Sequence, residues 1–306
     1  MNKFLRSYGL LVTFAVMFLG LFAFSPNFRN PQNLLNLLQQ NSVNGIIASG
    51  MTLMIISGGF DLSVGATAAL SGMVAAVLFL KVGILAGVMG GLAAALTVGL
   101  INGLLIAKVG INAFVATLGM QIITRGLLYI STNATPIYGL PAEYMRVGLG
   151  SIGPFPIATS IFAIIVVVMF VVLRYTPFGQ YVLSVGGNEE ATRLSGIDVD
   201  KVKIAVFALG GLLAGIGGLI LLGQTNTGQP QAAAGYELNA IAAVVVGGTP
   251  LTGGQGSIFN TVVGVLLLGM IANGLNLFNV SPYWQPAVTG FIILVAVGLD
   301  TVGKRR

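Results

Sequence analysis

The sequence predicts an all-α, polytopic membrane protein with about ten spanning helices, and three observations carry that reading. Hydrophobic residues make up 56% of the 306 residues and charged residues only 7%, and the mean hydropathy is +0.95. Soluble domains carry about 25% charged residues. A chain this poor in charge cannot coat a water-facing globule, so lipid must be its solvent. Apolar stretches separated by Gly, Pro or charges recur along the whole chain, and the basic residues gather in alternate links between them.

Taken in order, the stretches run near 8–24, 42–57, 64–81, 83–107, 111–131, 158–174, 204–223, 237–249, 256–279 and 284–301. A crossing takes about 20 residues, which most of them supply. The stretches 42–57 and 237–249 are short. The basic start, Met1-Asn2-Lys3-Phe4-Leu5-Arg6, precedes the first stretch, and Ala23-Phe24-Ser25 weakly mimics a signal-peptidase site. Further stretches follow it, which predicts an uncleaved signal anchor. The chain is read as one transmembrane domain over 1–306, with 175–203 as its longest charged link.

With the N-terminus in the cytoplasm, the inner links and ends hold Lys3, Arg6, Lys108, Arg174, Arg193, Lys201, Lys203, Lys304, Arg305 and Arg306. The outer links hold Arg29, Lys81 and Arg146, and Arg125 lies inside a span. This imbalance follows the positive-inside rule and places both termini in the cytoplasm. It also explains the formal charge of +6 without nucleic acid as a partner.

Two internal echoes stand out. Asn102-Gly103-Leu104 closes the fourth stretch and Asn273-Gly274-Leu275 the ninth. Copies an odd number of spans apart face opposite sides, which predicts an inverted repeat. Gly58-Gly59-Phe60-Asp61-Leu62-Ser63-Val64-Gly65 also echoes Gly247-Gly248-Thr249-Pro250-Leu251-Thr252-Gly253-Gly254. Its offset is even, so both echoes cannot belong to one repeat. The first is preferred because it places four spans consistently. Glycines spaced by four (Gly83, Gly87, Gly91; Gly99, Gly103; Gly211, Gly215) predict close helix crossings, because lipid supplies no hydrophobic drive between helices.

The chain has no Cys and no His. That removes disulfides, thiol nucleophiles, Cys/His metal centres and His general bases. No nucleophile–base pair or metal cluster is visible, so no catalytic residue, metal or cofactor is expected, and the chain is not expected to be an enzyme. No phosphate-cradling Gly-x-x-x-x-Gly-Lys-Ser/Thr loop is present, so any ATP hydrolysis must come from a separate chain.

Within 175–203 lies Gly186-Gly187-Asn188-Glu189-Glu190-Ala191-Thr192-Arg193-Leu194-Ser195-Gly196. Asn188 is a favourable N-cap, Glu189 and Glu190 suit the positive end of a helix dipole, and Gly196 suits a stop. A two-turn cytoplasmic helix over 189–195 follows, either a plain solvated turn or a docking element.

Here the sequence resembles a known family. The segment 186–197 is similar to the coupling region of sugar-importing ABC permeases. Gly58-Gly59-Phe60-Asp61-Leu62-Ser63-Val64-Gly65 and the run from Gly235-Tyr236-Glu237 to Gly247-Gly248 resemble that family's motifs. The tail from Asn273-Gly274-Leu275-Asn276-Leu277 to Tyr283-Trp284-Gln285 is nearest the ribose branch of this ribose, xylose, arabinose and galactoside family. The resemblance covers about residues 8–300. It implies a permease of the inner membrane working with a second permease chain (a homodimer), a cytoplasmic ATP-binding subunit and an extracytoplasmic sugar-binding protein. Gly187, Asn188, Glu189, Glu190 and Arg193 would couple to the ATPase. The alternatives are another solute, such as another sugar, an autoinducer or a branched-chain amino acid, or a secondary transporter or a channel.

Paired short spans point to a transporter's site. On that ground Gly58, Gly59, Asp61, Asn239, Gly247 and Gly248 are expected at or beside the pathway, joined by Asn273 and Asn276. Asn both donates and accepts, which suits sugar hydroxyls; interhelical bonding is its competing role. Asp61 is also suited to cap the following helix. Arg125 is expected to snorkel or to pair with an acid or a loop carbonyl. Tyr283 and Trp284 are expected to form an interfacial anchor.

Overall fold

The structure, a computed structural model, describes residues 3–281 and 283–304. Met1, Asn2, Arg305 and Arg306, which carry part of the terminal basic pattern, lie outside it, as does Pro282.

The chain is helical almost throughout. Helix α1 (Lys3–Phe24) leads to α2 (Pro31–Ile56), α3 (Val64–Lys81), α4 (Ile84–Leu104) and α5 (Ala113–Thr132). The short α6 (Ala142–Leu149) and a hairpin of β1 (Ser151–Ile152) and β2 (Phe155–Pro156) precede α7 (Ile157–Tyr175). Then come α8 (Pro177–Gly187), α9 (Glu189–Leu194), α10 (Val199–Thr225), α11 (Tyr236–Val246), α12 (Ile258–Leu277) and α13 (Trp284–Lys304). A π-helical turn, Leu105–Val109, extends α4.

Each apolar stretch lies on a helix, and among the described residues 6 helices are long and apolar enough to cross a membrane: α3, α4 with its π turn, α5, α7, α10 and α12. One expectation is corrected. The stretch 42–57 is not a short span but the second half of the 26-residue α2, which rises about 39 Å. Its start was hidden by Gln32, Asn33, Asn36, Gln39, Gln40 and Asn41, which read as a link. Asn30 caps it by accepting from the Gln32 amide at 2.9 Å, and Pro31 fills the first position, where no amide hydrogen is needed. By contrast α11 is short, with 11 residues, or about 16 Å.

Helices α2, α3 and α10 form the centre. Met51, Leu53, Met54, Ile55 and Ile56 at the end of α2 are fully buried. Two thirds of α3 is buried (67%), against 22% of α5 and of α7, so the latter two turn most of their apolar surface outward. The α4–α10 crossing is set by backbone contact. A Cβ on Gly211 would stand 2.7 Å from the Ala95 carbonyl oxygen and 2.8 Å from the Gly99 Cα. Only glycine fits there.

The packing has an internal symmetry. Helix α10 packs on α3 and α4, and α2 packs on α11 and α12; α3 packs on α5 as α11 does on α13; α2 and α10 pack on each other. This pairs α2–α5 with α10–α13, which is the inverted repeat expected from the Asn-Gly-Leu echo. Helices α1 and α7 fall outside it: α1 packs on α12, whereas α7 packs on α2 and α12. The other echo falls outside this pairing. Its two loops touch, with the Gly254 amide donating to the Ile56 carbonyl at 2.8 Å.

Candidate functional site

Two polar places are built into this apolar bundle, one toward each end. The end that carries α9 is where the links α2–α3, α8–α9 and α11–α12 meet. Gly186 lies so close to the Ile56 carbonyl and the Gly254 amide that a Cβ would collide with both, and Gly254 packs against Gly187. The other end carries α6 and the hairpin.

Toward that second end, a cavity of about 500 Å³ opens between the first half of α2, the N-terminus of α11, the second half of α12 and the start of α13. Helix α2 contributes Gln40, Asn41 and Asn44, and α11 contributes Asn239. Asn273 and Asn276 come from α12, Gln285 and Thr289 from α13. Among the described residues no lining side chain is charged. Asn273 and Asn33 exchange hydrogen bonds at 3.0 and 3.2 Å, and Gln285 donates to Asn276 at 3.4 Å. The Asn44 Oδ1 atom is buried with no hydrogen-bond partner among the described residues.

The N-terminus of α11 reaches this depth because the preceding segment is strapped down. Arg125 of α5 donates to the carbonyls of Pro230 and Ala232 at 2.5 and 3.1 Å. Gln121 donates to Glu237 at 3.2 Å, and Glu237 also accepts from the Gly235 amide at 3.3 Å. These bonds leave an open helix end inside protein, where its free amides are shielded from lipid.

The second polar place lies toward the α9 end. Asp61 accepts from both the amide and the hydroxyl of Ser63, each at 2.6 Å, and from Asn102 at 3.1 Å. Asn102 also donates to Ser63 at 2.9 Å, and the Leu62 amide donates to Thr117 at 3.1 Å. Asp61 sits at the α3 entry as an Asx turn, with the helix beginning at Val64.

The eight pathway candidates therefore separate. Asn239, Asn273 and Asn276 line the cavity; Asp61, Gly58, Gly59, Gly247 and Gly248 lie at the other end, outside its lining. Gly58 and Gly248 hold φ of +88° and +86°, a left-handed backbone that lets the loops turn back after α2 and α11. A Cβ on Gly59 would press on Phe207 and Ala113 at 3.3 Å, and one on Gly247 would stand 2.8 Å from the Asn260 carbonyl. Sequence reasoning missed Gln40, Asn44 and Glu237. The spacing of Asn33, Asn36, Gln40 and Asn44, by three, four and four, marks one helical face.

On the α9 surface, Asn188 caps the helix by accepting from the Ala191 amide at 2.9 Å. Arg193 pairs with Asp200 at 3.0 Å and Glu189 at 3.5 Å, and Glu189 with Lys203 at 2.6 Å. Hydrogen bonding to Asp200 raises the Arg193 guanidinium above its ordinary value, and Lys201 lowers the Asp198 carboxyl. Glu190 faces solvent, as does Leu194 at 82% exposure.

A helical bundle of inverted halves, with an uncharged polar cavity beside the short α11, defines a multi-pass membrane transport protein. The chain belongs to the family described as branched-chain amino acid transport system / permease component, which it matches over residues 33–297. It is 44% identical over 295 residues to the ribose import permease protein of Escherichia coli (strain K12), covering 95% of this chain and 92% of that one. It is 43% identical to the ribose import permease protein of Bacillus subtilis (strain 168), with 92% and 91% covered. To the L-arabinose transport system permease protein of Escherichia coli (strain K12) it is 40% identical, with 96% and 90% covered. No solved structure matches the chain.

Proposed function

We propose that this chain is the membrane-spanning permease subunit of an ATP-driven monosaccharide importer of the inner membrane, with ribose as its solute. Identity to ribose import permeases over nearly the whole chain supports the class. The cavity carries the choice of solute. Among the described residues its lining offers amides and the hydroxyls of Tyr236 and Thr289 but no charge. Such groups donate to and accept from sugar hydroxyls. A zwitterionic amino acid entering the same space would leave both its charges without a counter-charge, at a large desolvation cost. The family's description favours an amino acid; the chemistry of the cavity favours a neutral sugar.

In this reading ATP is hydrolysed by a separate subunit, which docks on α9 through Gly187, Asn188, Glu189, Glu190 and Arg193. A second copy of the chain completes the pathway, an extracytoplasmic sugar-binding protein delivers the solute, and both termini lie in the cytoplasm. Residues 1–306 act as one permease domain, with 175–203 as its coupling segment. Asn239, Asn273 and Asn276 line the solute's way through. Gly58, Gly59, Gly247 and Gly248 shape the loops that link it to the coupling end. Uptake of labelled ribose by cells expressing the importer, in competition with unlabelled ribose or leucine, tests the solute. Ribose should compete fully and leucine not at all; full competition by leucine would refute the sugar reading.

A further inference from the structure

The cavity has a counterpart. In the repeat, α5 begins at Ala113 and α13 at Trp284, 171 positions apart, as are Asn102 and Asn273. The same displacement carries the cavity-lining Ala234 back to Ser63 and the α11 entry back to the α3 entry. The cavity is bounded by α2, α11, α12 and α13, so its image lies among α10, α3, α4 and α5, at the α9 end. That is where Asp61, Ser63, Asn102 and Thr117 meet.

The image is shut. Asp61 is 1% exposed, and Ser63, Asn102 and Thr117 are fully buried. Phe207 of α10 packs into it beside Gly59. Yet its chemistry is not that of a settled core. Among the described residues no cation lies within ion-pair distance of Asp61. The Asn102 Oδ1 atom is buried without a hydrogen-bond partner among the described residues. An uncompensated carboxylate inside a membrane protein is expensive, and such groups mark solute pathways.

We propose that Asp61, Ser63, Asn102 and Thr117 form a second, exit-side binding station for a neutral polyhydroxylated solute, the inverted image of the open cavity and closed in this structure. The inference rests on the pathway reading above. The opening motion is taken to be the one by which inverted-repeat secondary transporters alternate access, one repeat rocking against the other around the site. When the α9 end opens, the carboxylate accepts from one sugar hydroxyl, while the free Asn102 oxygen and the two hydroxyl side chains engage its neighbours. The step is hydrogen-bond exchange alone.

The natural absence of Cys provides the test. Ser63→Cys, Thr117→Cys and Asn273→Cys are made singly in the whole importer, with its ATPase and binding protein, in membrane vesicles. A small charged thiol reagent, which needs a water path, is added on each side in turn. At rest Asn273→Cys should label, and the two inner cysteines should not. During ATP turnover the inner cysteines should label from the ATPase side at least about tenfold faster, as a minor open state becomes populated, and ribose should slow that labelling. The proposal is overturned if Asn273→Cys labels and is protected by ribose while neither inner cysteine reacts in vesicles that still import ribose. Thr117→Cys decides the matter should Ser63→Cys fail to assemble. If Asn273→Cys is never reached, or ribose leaves it unprotected, the pathway reading itself fails and this inference with it.

Discussion

Leu194→Ala probes docking of the ATPase at α9 more directly than any of the charged positions. Glu189 and Arg193 already have partners within the chain, on α10, so removing them also loosens α9 from its own scaffold. Leu194 has no such role. It is 82% exposed on the outer side of a buttressed helix. Full burial of a Leu side chain stabilises by about 1.5–3 kcal/mol. With four fifths of that surface available to a partner, and the Cβ retained in Ala, the loss should be about 1–2 kcal/mol. At about 1.4 kcal/mol per decade this weakens ATPase binding about 5- to 30-fold. The assay is titration of the detergent-purified permease with its partner ATPase, read as a dissociation constant, with ATP hydrolysis in vesicles alongside. The chain's own thermal unfolding should not move. An unchanged dissociation constant would refute docking through this face.

Three further outcomes are expected. Gly211→Ala should destabilise the bundle relative to Gly126→Ala, because overpacking of about 1–3 kcal/mol opposes a helix-propensity gain of about 1 kcal/mol. Gly126 meets nothing within 4 Å and keeps only the gain; unfolding midpoints in one detergent that rank the pair the other way would contradict the packing. Asn44→Leu should lower ribose uptake about tenfold through one or two lost solute bonds of about 1 kcal/mol each, with assembly intact; normal uptake would remove α2 from the pathway. Cysteines at Ser7 and Thr301 should resist an impermeant thiol reagent added outside sealed cells, and labelling of either would reverse the topology.

How far the sequence could be read depended on the range of the physics. Helix α9 was legible residue by residue, since capping by Asn188 and the stop at Gly196 are local. Asn239, Asn273 and Asn276 were legible because an amide in an apolar helix stands out. The first half of α2 was not. Its polar face leaves Gln32, Asn36 and Gln40 exposed and Asn33, Asn41 and Asn44 half-buried, so by composition it reads as a solvated link, and Gln40 and Asn44 went with it. The Asp61–Asn102 contact was also invisible. Each residue was singled out in its own motif, but their meeting depends on the α3–α4 crossing, and nothing local encodes that. The turning duty of Gly58 and Gly248, set by their positive φ, is likewise not legible from their motifs, because backbone handedness there is fixed by the loops they join.

The central claim is that this chain moves sugar only when an ATPase drives it. The decisive measurement is uptake of labelled ribose into proteoliposomes holding the permease with its ATPase and binding protein, compared with the permease alone and with a hydrolysis-deficient ATPase. Accumulation above the external concentration should occur only in the complete, hydrolysing assembly. Equal accumulation by the permease alone, or with the hydrolysis-deficient ATPase, would contradict the account.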